Sequence, residues 1–203
     1  MYKITITILT MLFLFSGCDK KENSTTQTQI KQETEVKDTK TKENKSAEEK
    51  VSQIAQATKF TITTIEGKEL HLAERNAKLE FEEFKNRPIF VIFFGHRCPP
   101  CLREIPELIE LTKEHKDLAI VAFEVQGLSS DQLKEFAKIQ GINYNLITLD
   151  NGINFVNYIQ RQANWNGAIP FILGVNKQSV VKIVHVGGVN KQQLEMAYTT
   201  LTK

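Results

Sequence analysis

A continuous apolar run followed at once by a pair of cysteines constrains the fold of this chain most strongly. The run "RPIFVIFFG" has the length of a strand and is bounded by Pro88 and Gly95, as expected for a strand buried on both faces. The cysteines follow in "HRCPPCLRE", and apolar residues then recur at helical spacing from Pro99 to about His115. The segment predicts a buried strand leading directly into an amphipathic helix, which Pro106 should kink.

Strands and helices alternate along the rest of this part of the chain. "KFTITTIEG" predicts a short strand or hairpin arm before the apolar run, and "LAIVAFEV" and "YNLITL" predict strands on either side of the helix "SSDQLKEFAKIQG". "INFVNYIQRQA" predicts a helix, "FILGV" and "VVKIVHV" predict strands joined by the turn "NKQS", and the last residues predict an amphipathic helix. This order indicates an α/β domain of three layers over residues 57–203.

The N-terminus has the pattern of an exported protein. Residues 1–17 carry an early lysine, an apolar run and then small residues, which predicts a secretory signal too short to remain as a membrane-spanning helix. Cys18 follows, and "LFSGC" resembles the lipobox of bacterial lipoproteins, with Phe15 where leucine is usual. The resemblance implies that Cys18 is diacylated and anchors the protein, and that Asp19 favours the inner membrane. An ordinary signal peptide with an incidental cysteine is the alternative.

Residues 18–56 predict a lipidated N-terminus followed by a disordered linker. Lys, Glu, Thr, Gln and Ser dominate this segment, so it cannot bury enough apolar surface to offset the entropy of ordering. Its charges nearly balance and the whole chain has a formal charge of only +2, which argues against nucleic-acid binding. A flexible linker of roughly 38 residues has a root-mean-square span of about 30 to 35 Å. It would hold the domain of residues 57–203 off a membrane.

The spacing of Cys98 and Cys101 favours redox chemistry. Cys98 stands where the predicted helix begins, close to unsatisfied backbone N–H groups and the positive end of the helix dipole, which favour a thiolate. Cys101 lies three residues on, on the same face, where it can attack a mixed disulfide and release the product. In an oxidising compartment such a pair cycles between dithiol and disulfide.

Other uses of the cysteine pair have less support. A closed zinc site could take His96 as a third ligand, but it needs four, and the domain has no second C-x-x-C or paired histidines. A c-type haem site needs histidine immediately after the second cysteine, where Leu102 stands. A structural disulfide is the remaining alternative. We therefore predict neither a metal nor a cofactor.

Two motifs resemble the TlpA/ResA-type thioredoxin-like proteins. "GHRCPPC" with Glu104 and Pro106 resembles the active-site motif of that family, and "AIPFILG" about seventy residues later resembles its cis-proline turn. The resemblance covers about residues 57–203 and implies a thioredoxin-like fold, a central mixed sheet with helices on both faces. It also implies that Pro170 faces the dithiol and that Ile169 offers backbone hydrogen bonds to an extended substrate segment.

The same resemblance assigns a role to Glu104, three residues beyond Cys101 on the same helix face. A carboxylate there can accept the proton of Cys101 as it becomes the resolving thiolate, if burial raises the pKa of the carboxyl towards neutrality. A solvent-facing helix acid is the alternative. Glu124 also ends a predicted strand, and the sequence gives it no role beyond a place at a strand edge.

The chain departs from the family pattern beside the first cysteine. Arg97 stands where the family usually has tryptophan, and His96 precedes it. Cations at these positions should stabilise a thiolate at Cys98. They could equally contact an acidic partner or be solvated loop residues. Both residues between the cysteines are prolines, so the thiolate has one backbone donor fewer than with Gly-Pro. The two effects on the thiolate are opposite in sign.

The family resemblance implies a function and a location. Between Cys101 and Pro170 there is no room for the large helical insertion of DsbA-type oxidants, and Ile169 matches reducing thioredoxins. Tethered members of the family typically reduce disulfides, often in apocytochrome c, with electrons from a membrane thiol donor. We therefore expect a monomeric, lipid-anchored reductase on the periplasmic face of the inner membrane. Its substrates would be disulfide-bearing proteins.

Two further functions are alternatives to a reductase for cytochrome c. One is a general disulfide reductase or isomerase. The other is a copper-handling lipoprotein of the same fold, which would use the thiols and a distant histidine such as His185, although those proteins typically have C-x-x-x-C. Peroxidase activity is disfavoured, because Gly95 replaces the threonine found three residues before the reactive cysteine of peroxiredoxins. Trp165 is expected to pack near the proline turn.

Overall fold

The computed structural model describes residues 57–76 and 78–203, in which strands and helices alternate from residue 89 to residue 175. Within the described residues the elements are, in chain order, β1 (Thr58–Thr63), β2 (Glu69–Arg75), β3 (Lys78–Phe81), β4 (Ile89–Phe94), α1 (Pro99–Glu114), β5 (Ala119–Glu124), α2 (Ser130–Gln140), β6 (Asn145–Thr148), α3 (Leu149–Gln162), β7 (Phe171–Val175), β8 (Val181–Val186) and α4 (Lys191–Thr202). The predicted signal, the predicted lipidation site Cys18 and the predicted linker lie outside the described residues.

A five-stranded mixed sheet forms the centre of the domain, in the order β6-β5-β4-β7-β8. Strand β4 pairs in parallel with β5, which pairs in parallel with β6, while β7 is antiparallel to both β4 and β8. All six residues of β4 are buried, as the continuous apolar run predicted. Because neighbouring residues of a strand face opposite sides, β4 supplies apolar side chains to both faces of the sheet.

Each face of the central sheet is covered by its own layer. One face packs against α1, α2 and α4, whose buried side chains include Leu108, Leu133 and Leu194. The other packs against α3, which contributes Phe155, and against the sheet formed by β1, β2 and β3. Phe93 of β4 lies at the centre of this second face, with its ring 5.1 Å from that of Phe123. The predicted three-layer α/β arrangement with helices on both faces is confirmed.

The antiparallel sheet β1-β2-β3 is only partly anticipated by the sequence. The strand or hairpin arm expected in "KFTITTIEG" is β1, but β2 and β3 were not predicted. Their sequences, "ELHLAER" and "KLEF", alternate charged with apolar residues, and the buried members are Leu70, Leu72, Leu79 and Phe81. The alternation indicates a half-buried strand, but charged neighbours mask it in so short a segment.

The ends of the helices follow local sequence signals. Helix α2 begins after a capping box in which Ser129 and Gln132 exchange side-chain and backbone hydrogen bonds, and it ends at Gly141 with φ of 68°. Helix α4 begins with the same arrangement, formed by Asn190 and Gln193. Among the described residues, no helix is long and apolar enough to cross a membrane.

Candidate active site

The two cysteines lie where β4 passes into α1. Cys98 closes a four-residue turn by donating its backbone N–H to Gly95 O at 3.1 Å, and it is the N-cap of α1, since Leu102 N–H donates to its carbonyl at 3.0 Å. A disulfide joins Cys98 to Cys101, with their Cα atoms 5.3 Å apart. Cys98 is 7% exposed and Cys101 only 2%. The first cysteine is therefore the more accessible, as the assigned order of attack requires.

The prolines between the cysteines occupy the first two positions of α1. Pro99 and Pro100 have no backbone N–H, so the first N–H that the helix offers is that of Cys101 itself. No side chain caps this helix end. A thiolate at Cys98 therefore depends more on neighbouring side chains than it would at a helix start with free amides.

The proline turn faces the disulfide, as the family resemblance implied. The Ile169–Pro170 peptide bond is cis, and Ile169 O lies 3.7 Å from Cys98 Sγ. Pro170 O accepts a hydrogen bond from Gly187 N–H at 2.8 Å, which joins this turn to the segment that follows β8. The two motifs, far apart in the sequence, thus meet at one end of the central sheet.

Glu104 is buried in α1, one turn beyond Cys101. It is 2% exposed, and its Oε1 accepts a hydrogen bond of 2.7 Å from Val189 N–H. Burial raises the pKa of Glu104 to about 7, although the Val189 bond and the charge of Arg103 act in the opposite direction. The alternative interpretation of Glu104 as a solvent-facing helix acid is therefore wrong. The carboxyl has the near-neutral pKa expected of a group that exchanges protons at physiological pH.

The segment between β8 and α4 covers Glu104, a contact that no sequence pattern indicated. A Cβ placed on Gly188 would lie 3.4 Å from Pro100 Cβ and 3.6 Å from Glu104 Oε1, so the backbone there packs closely over the start of α1. Tyr144 interacts with this carboxyl electrostatically: burial raises the pKa of Tyr144, and the negative charge of Glu104 raises it further. The close packing of Gly188 helps to exclude water from Glu104.

His96 is anchored to Glu124, which the sequence analysis left without a role. His96 Nδ1 lies 2.9 Å from Glu124 Oε1, and its backbone N–H lies 3.4 Å from the same oxygen. Glu124 ends β5 as predicted, but β5 is an interior strand of the sheet and the residue is fully buried. The prediction that Glu124 lies at a strand edge is therefore wrong. The two residues are 28 positions apart in the sequence, and this spacing carries no signal of their contact.

Arg97 and Gly95 contact the same segment through Gln126. The backbone N–H of Arg97 donates to Gln126 Oε1 at 2.9 Å, while the side chain of Arg97 is exposed. A Cβ at Gly95 would lie 2.6 Å from Gln126 Oε1, so a larger residue would displace the side chain that holds Arg97. The space that a peroxiredoxin-type threonine would occupy is therefore already filled.

The predictions made for Trp165 and His185 have different outcomes in the structure. Trp165 is buried, donates its Nε1–H to Ala168 O at 2.7 Å and stacks on Phe171, so its predicted packing role is confirmed. His185 is partly buried on β8, and its Nε2 has no hydrogen-bond partner among the described residues. Within residues 57–76 and 78–203, the only group of three or more His, Cys, Asp or Glu residues whose ligand atoms lie within 4.8 Å of one another is Glu114, His115 and Glu195. His185 and the two cysteines therefore do not form such a group.

Comparison with known proteins agrees with this geometry. Residues 54–183 match the AhpC/TSA family. The thiol-disulfide oxidoreductase ResA of Halalkalibacterium halodurans is 25% identical over 141 residues, which are 69% of this chain and 72% of that protein. The thioredoxin-like protein YneN of Bacillus subtilis is 26% identical over 144 residues, 69% of this chain and 75% of that protein.

A solved structure with a similar fold is a thiol:disulfide interchange protein of the thioredoxin family from Chlorobium tepidum. The two superpose with a TM-score of 0.56 at 23% identity, over 72% of this chain and 95% of the other. The predicted thioredoxin-like fold is therefore confirmed.

Proposed function

Since this chain belongs to the AhpC/TSA family and is a ResA-type thioredoxin-like thiol-disulfide oxidoreductase, we propose that it reduces protein disulfides at a bacterial membrane, with apocytochrome c as its main substrate. One observation carries the proposal: the Cys98–Cys101 pair lies between the cis-proline turn and a buried carboxyl of near-neutral pKa, that of Glu104. Such a carboxyl is suited to activating the resolving thiol, because it can accept a proton at physiological pH.

The reaction begins from the dithiol. The Cys98 thiolate attacks one sulfur of the substrate disulfide, the substrate S–S bond breaks, and the other substrate sulfur leaves and takes up a proton. Cys101 then attacks the Cys98 sulfur of this mixed disulfide, which releases the second substrate thiol and forms the Cys98–Cys101 disulfide. Two electrons and two protons pass to the substrate, and a membrane thiol donor returns the enzyme to its dithiol form.

Glu104 acts in the second half of this reaction. Cys101 is almost fully buried, so its thiol needs a local proton acceptor before it can attack. Glu104 follows it by one turn on the same face of α1. The carboxylate takes the Cys101 proton and passes it to the departing substrate sulfur.

The Ile169–Pro170 turn supports an extended substrate segment. Its cis geometry and the contact of Ile169 O with Cys98 Sγ place backbone groups beside the reacting sulfur. A substrate strand that pairs with Ile169 would bring its own cystine to Cys98. Arg97 is exposed at this rim and is available to contact the substrate.

The apocytochrome proposal can be tested by direct competition. Reduced protein is mixed with insulin and with a peptide whose C-x-x-C-H motif, the haem-attachment sequence, is oxidised to a disulfide. We expect the peptide to be reduced faster than insulin, and Cys98→Ser to reduce neither. Equal rates for both substrates would favour a general disulfide reductase instead, and preferential shuffling of scrambled disulfides would favour an isomerase.

We further propose that the domain works outside the cytoplasm, tethered to the inner membrane by lipid on Cys18. The lipobox-like "LFSGC" and the polar segment after it support this location. A reductase is needed in an oxidising compartment, because substrate thiols there are oxidised to disulfides and must be reduced again.

A further inference from the structure

We propose that Val189 is a positioning residue whose backbone N–H holds the Glu104 carboxyl and thereby sets the pH range in which Cys101 can be activated. The inference rests on the proposed function and deepens it, since it names the group that adjusts the proton acceptor. Val189 lies outside both motifs that resemble the family, in the segment between β8 and α4.

The contact between Val189 and Glu104 is direct and short. Val189 N–H donates to Glu104 Oε1 at 2.7 Å, and Glu104 is only 2% exposed. This length is typical of a hydrogen bond in which one partner is charged. A backbone N–H can donate but cannot accept, so it stabilises an ionised carboxylate more than a protonated carboxyl. The amide of Val189 therefore favours the form of Glu104 that can take up a proton.

The backbone that carries this N–H is held on both sides. Two residues earlier, Gly187 N–H donates to Pro170 O at 2.8 Å, which joins the segment to the cis-proline turn. One residue later, Asn190 begins the capping box of α4, in which its N–H donates to Gln193 Oε1 at 2.9 Å. Movement of the Val189 amide away from the carboxyl would therefore disturb the proline turn or the start of α4.

Opposing effects act on the Glu104 carboxyl. Burial raises its pKa to about 7, whereas the bond from Val189 lowers the pKa and the charge of Arg103 lowers it less. Tyr144 before β6 has a raised pKa and is therefore uncharged near pH 7. The nearest titratable residue along β8 is His185, and residues 186–190 include no titratable side chain. The amide of Val189 is thus the group that opposes the effect of burial by direct contact.

The pH dependence separates this role from a merely structural one. Without the Val189 donor, the buried carboxyl of Glu104 would stay protonated to a higher pH, and a protonated carboxyl cannot take the proton of Cys101. Release of the mixed disulfide would then be slow at neutral pH and would recover at higher pH. If Val189 only supported the fold around the site, its loss would slow release at every pH without moving the midpoint.

The test is the titration of the Glu104 carboxyl by carbon NMR in the full chain, in the disulfide form whose cysteines do not titrate. The signal is identified by its absence from Glu104→Gln. We expect a midpoint near pH 7 in the unsubstituted protein and about one unit higher in Val189→Pro, which removes the N–H. That variant should also release the mixed disulfide about tenfold more slowly at pH 6. Val189→Ala keeps the N–H, so its midpoint should stay near 7.

An unchanged or lower midpoint in Val189→Pro, or an equal rise in Val189→Ala, would overturn the inference. If Val189→Pro does not fold, the amide proton of Val189 in the unsubstituted protein decides. Its NMR signal should move with the Glu104 titration and should not move in Glu104→Gln, because a bond that strengthens on ionisation also favours ionisation. A signal independent of pH would be the contrary result.

Reduction of insulin by the unsubstituted protein is measured in parallel, because the titration of Glu104 does not depend on activity. A failure to reduce insulin would refute the proposed function. Normal reduction of insulin together with an unshifted midpoint in Val189→Pro would refute only the role of Val189.

Discussion

Glu104→Gln should slow the release of substrate from the mixed disulfide with Cys98 by about a hundredfold, within the range that general acid–base catalysis contributes. Glutamine keeps the shape of the side chain and an oxygen for the 2.7 Å bond from Val189 N–H, but it cannot take the proton of Cys101. Stopped-flow release of a labelled peptide from the mixed disulfide measures this step. Alkylation of Cys98 in the reduced protein should be nearly unchanged, because Glu104 acts after the first attack.

The pH dependence of the same variant supplies an independent check. Since the ionised carboxylate is the base, the release rate of the unsubstituted protein should rise with pH through about 7, and the variant should lack this rise. Glu110→Gln is the control, because Glu110 is an exposed acid of the same helix. Equal release rates in the Glu104→Gln variant and the unsubstituted protein would refute the role of Glu104.

The pH dependence of the unfolding free energy should also reveal Glu104, and its direction follows from the raised pKa. The pKa of Glu104 is raised in the folded protein from 4.5 to about 7, so its contribution to stability is fully present below 4.5 and is lost as the pH rises through 7. A shift of this size corresponds to about 3 kcal/mol of unfolding free energy. The variant should lack this loss above pH 7, so slow release there cannot be attributed to unfolding.

Cys18→Ser should release the protein from membranes almost completely. Two acyl chains anchor a protein stably because each buried CH₂ contributes about 0.8 kcal/mol, and without them only the polar segment that follows would remain. The measurement is fractionation of cells expressing the full chain, with labelled palmitate as a second readout. Cys98→Ser is the matched cysteine control and should stay on the membrane with its label.

Retention of Cys18→Ser on the membrane, or an absence of palmitate from the unsubstituted chain, would contradict the lipid anchor. An ordinary signal peptide would then explain the N-terminal sequence, and the domain would work as a free protein in the same compartment. The chemistry proposed for Cys98 and Cys101 does not depend on this result.

Local patterns predicted the elements that carry the reacting groups. The apolar run became β4, the residues after it became α1, and the cysteines lie at their junction because a strand buried on both faces must end where the chain turns polar. The meeting of Cys98 with Ile169 and Pro170 was anticipated only through the family resemblance, since the X-Pro sequence alone does not reveal a cis bond.

Contacts between distant segments could not be predicted in the same way. Two such contacts are the pairing of His96 with Glu124 and the hydrogen bond from Val189 N–H to Glu104. Both depend on how separate elements pack together, and no rule of sequence spacing predicts them. Glu124 illustrates the difficulty, because an acid at the end of a strand is usually exposed. Here the three backbone N–H groups that follow it compensate for its burial.

The reduction potential of the Cys98–Cys101 couple distinguishes a disulfide reductase from a disulfide oxidant. It is measured by equilibrating the protein with glutathione or dithiothreitol buffers and counting free thiols at each ratio. A reductase should lie below about −230 mV, towards the value of about −270 mV known for thioredoxin. A potential near −120 mV, that of DsbA, would contradict the account, because such a pair would transfer its disulfide to partners instead of reducing theirs.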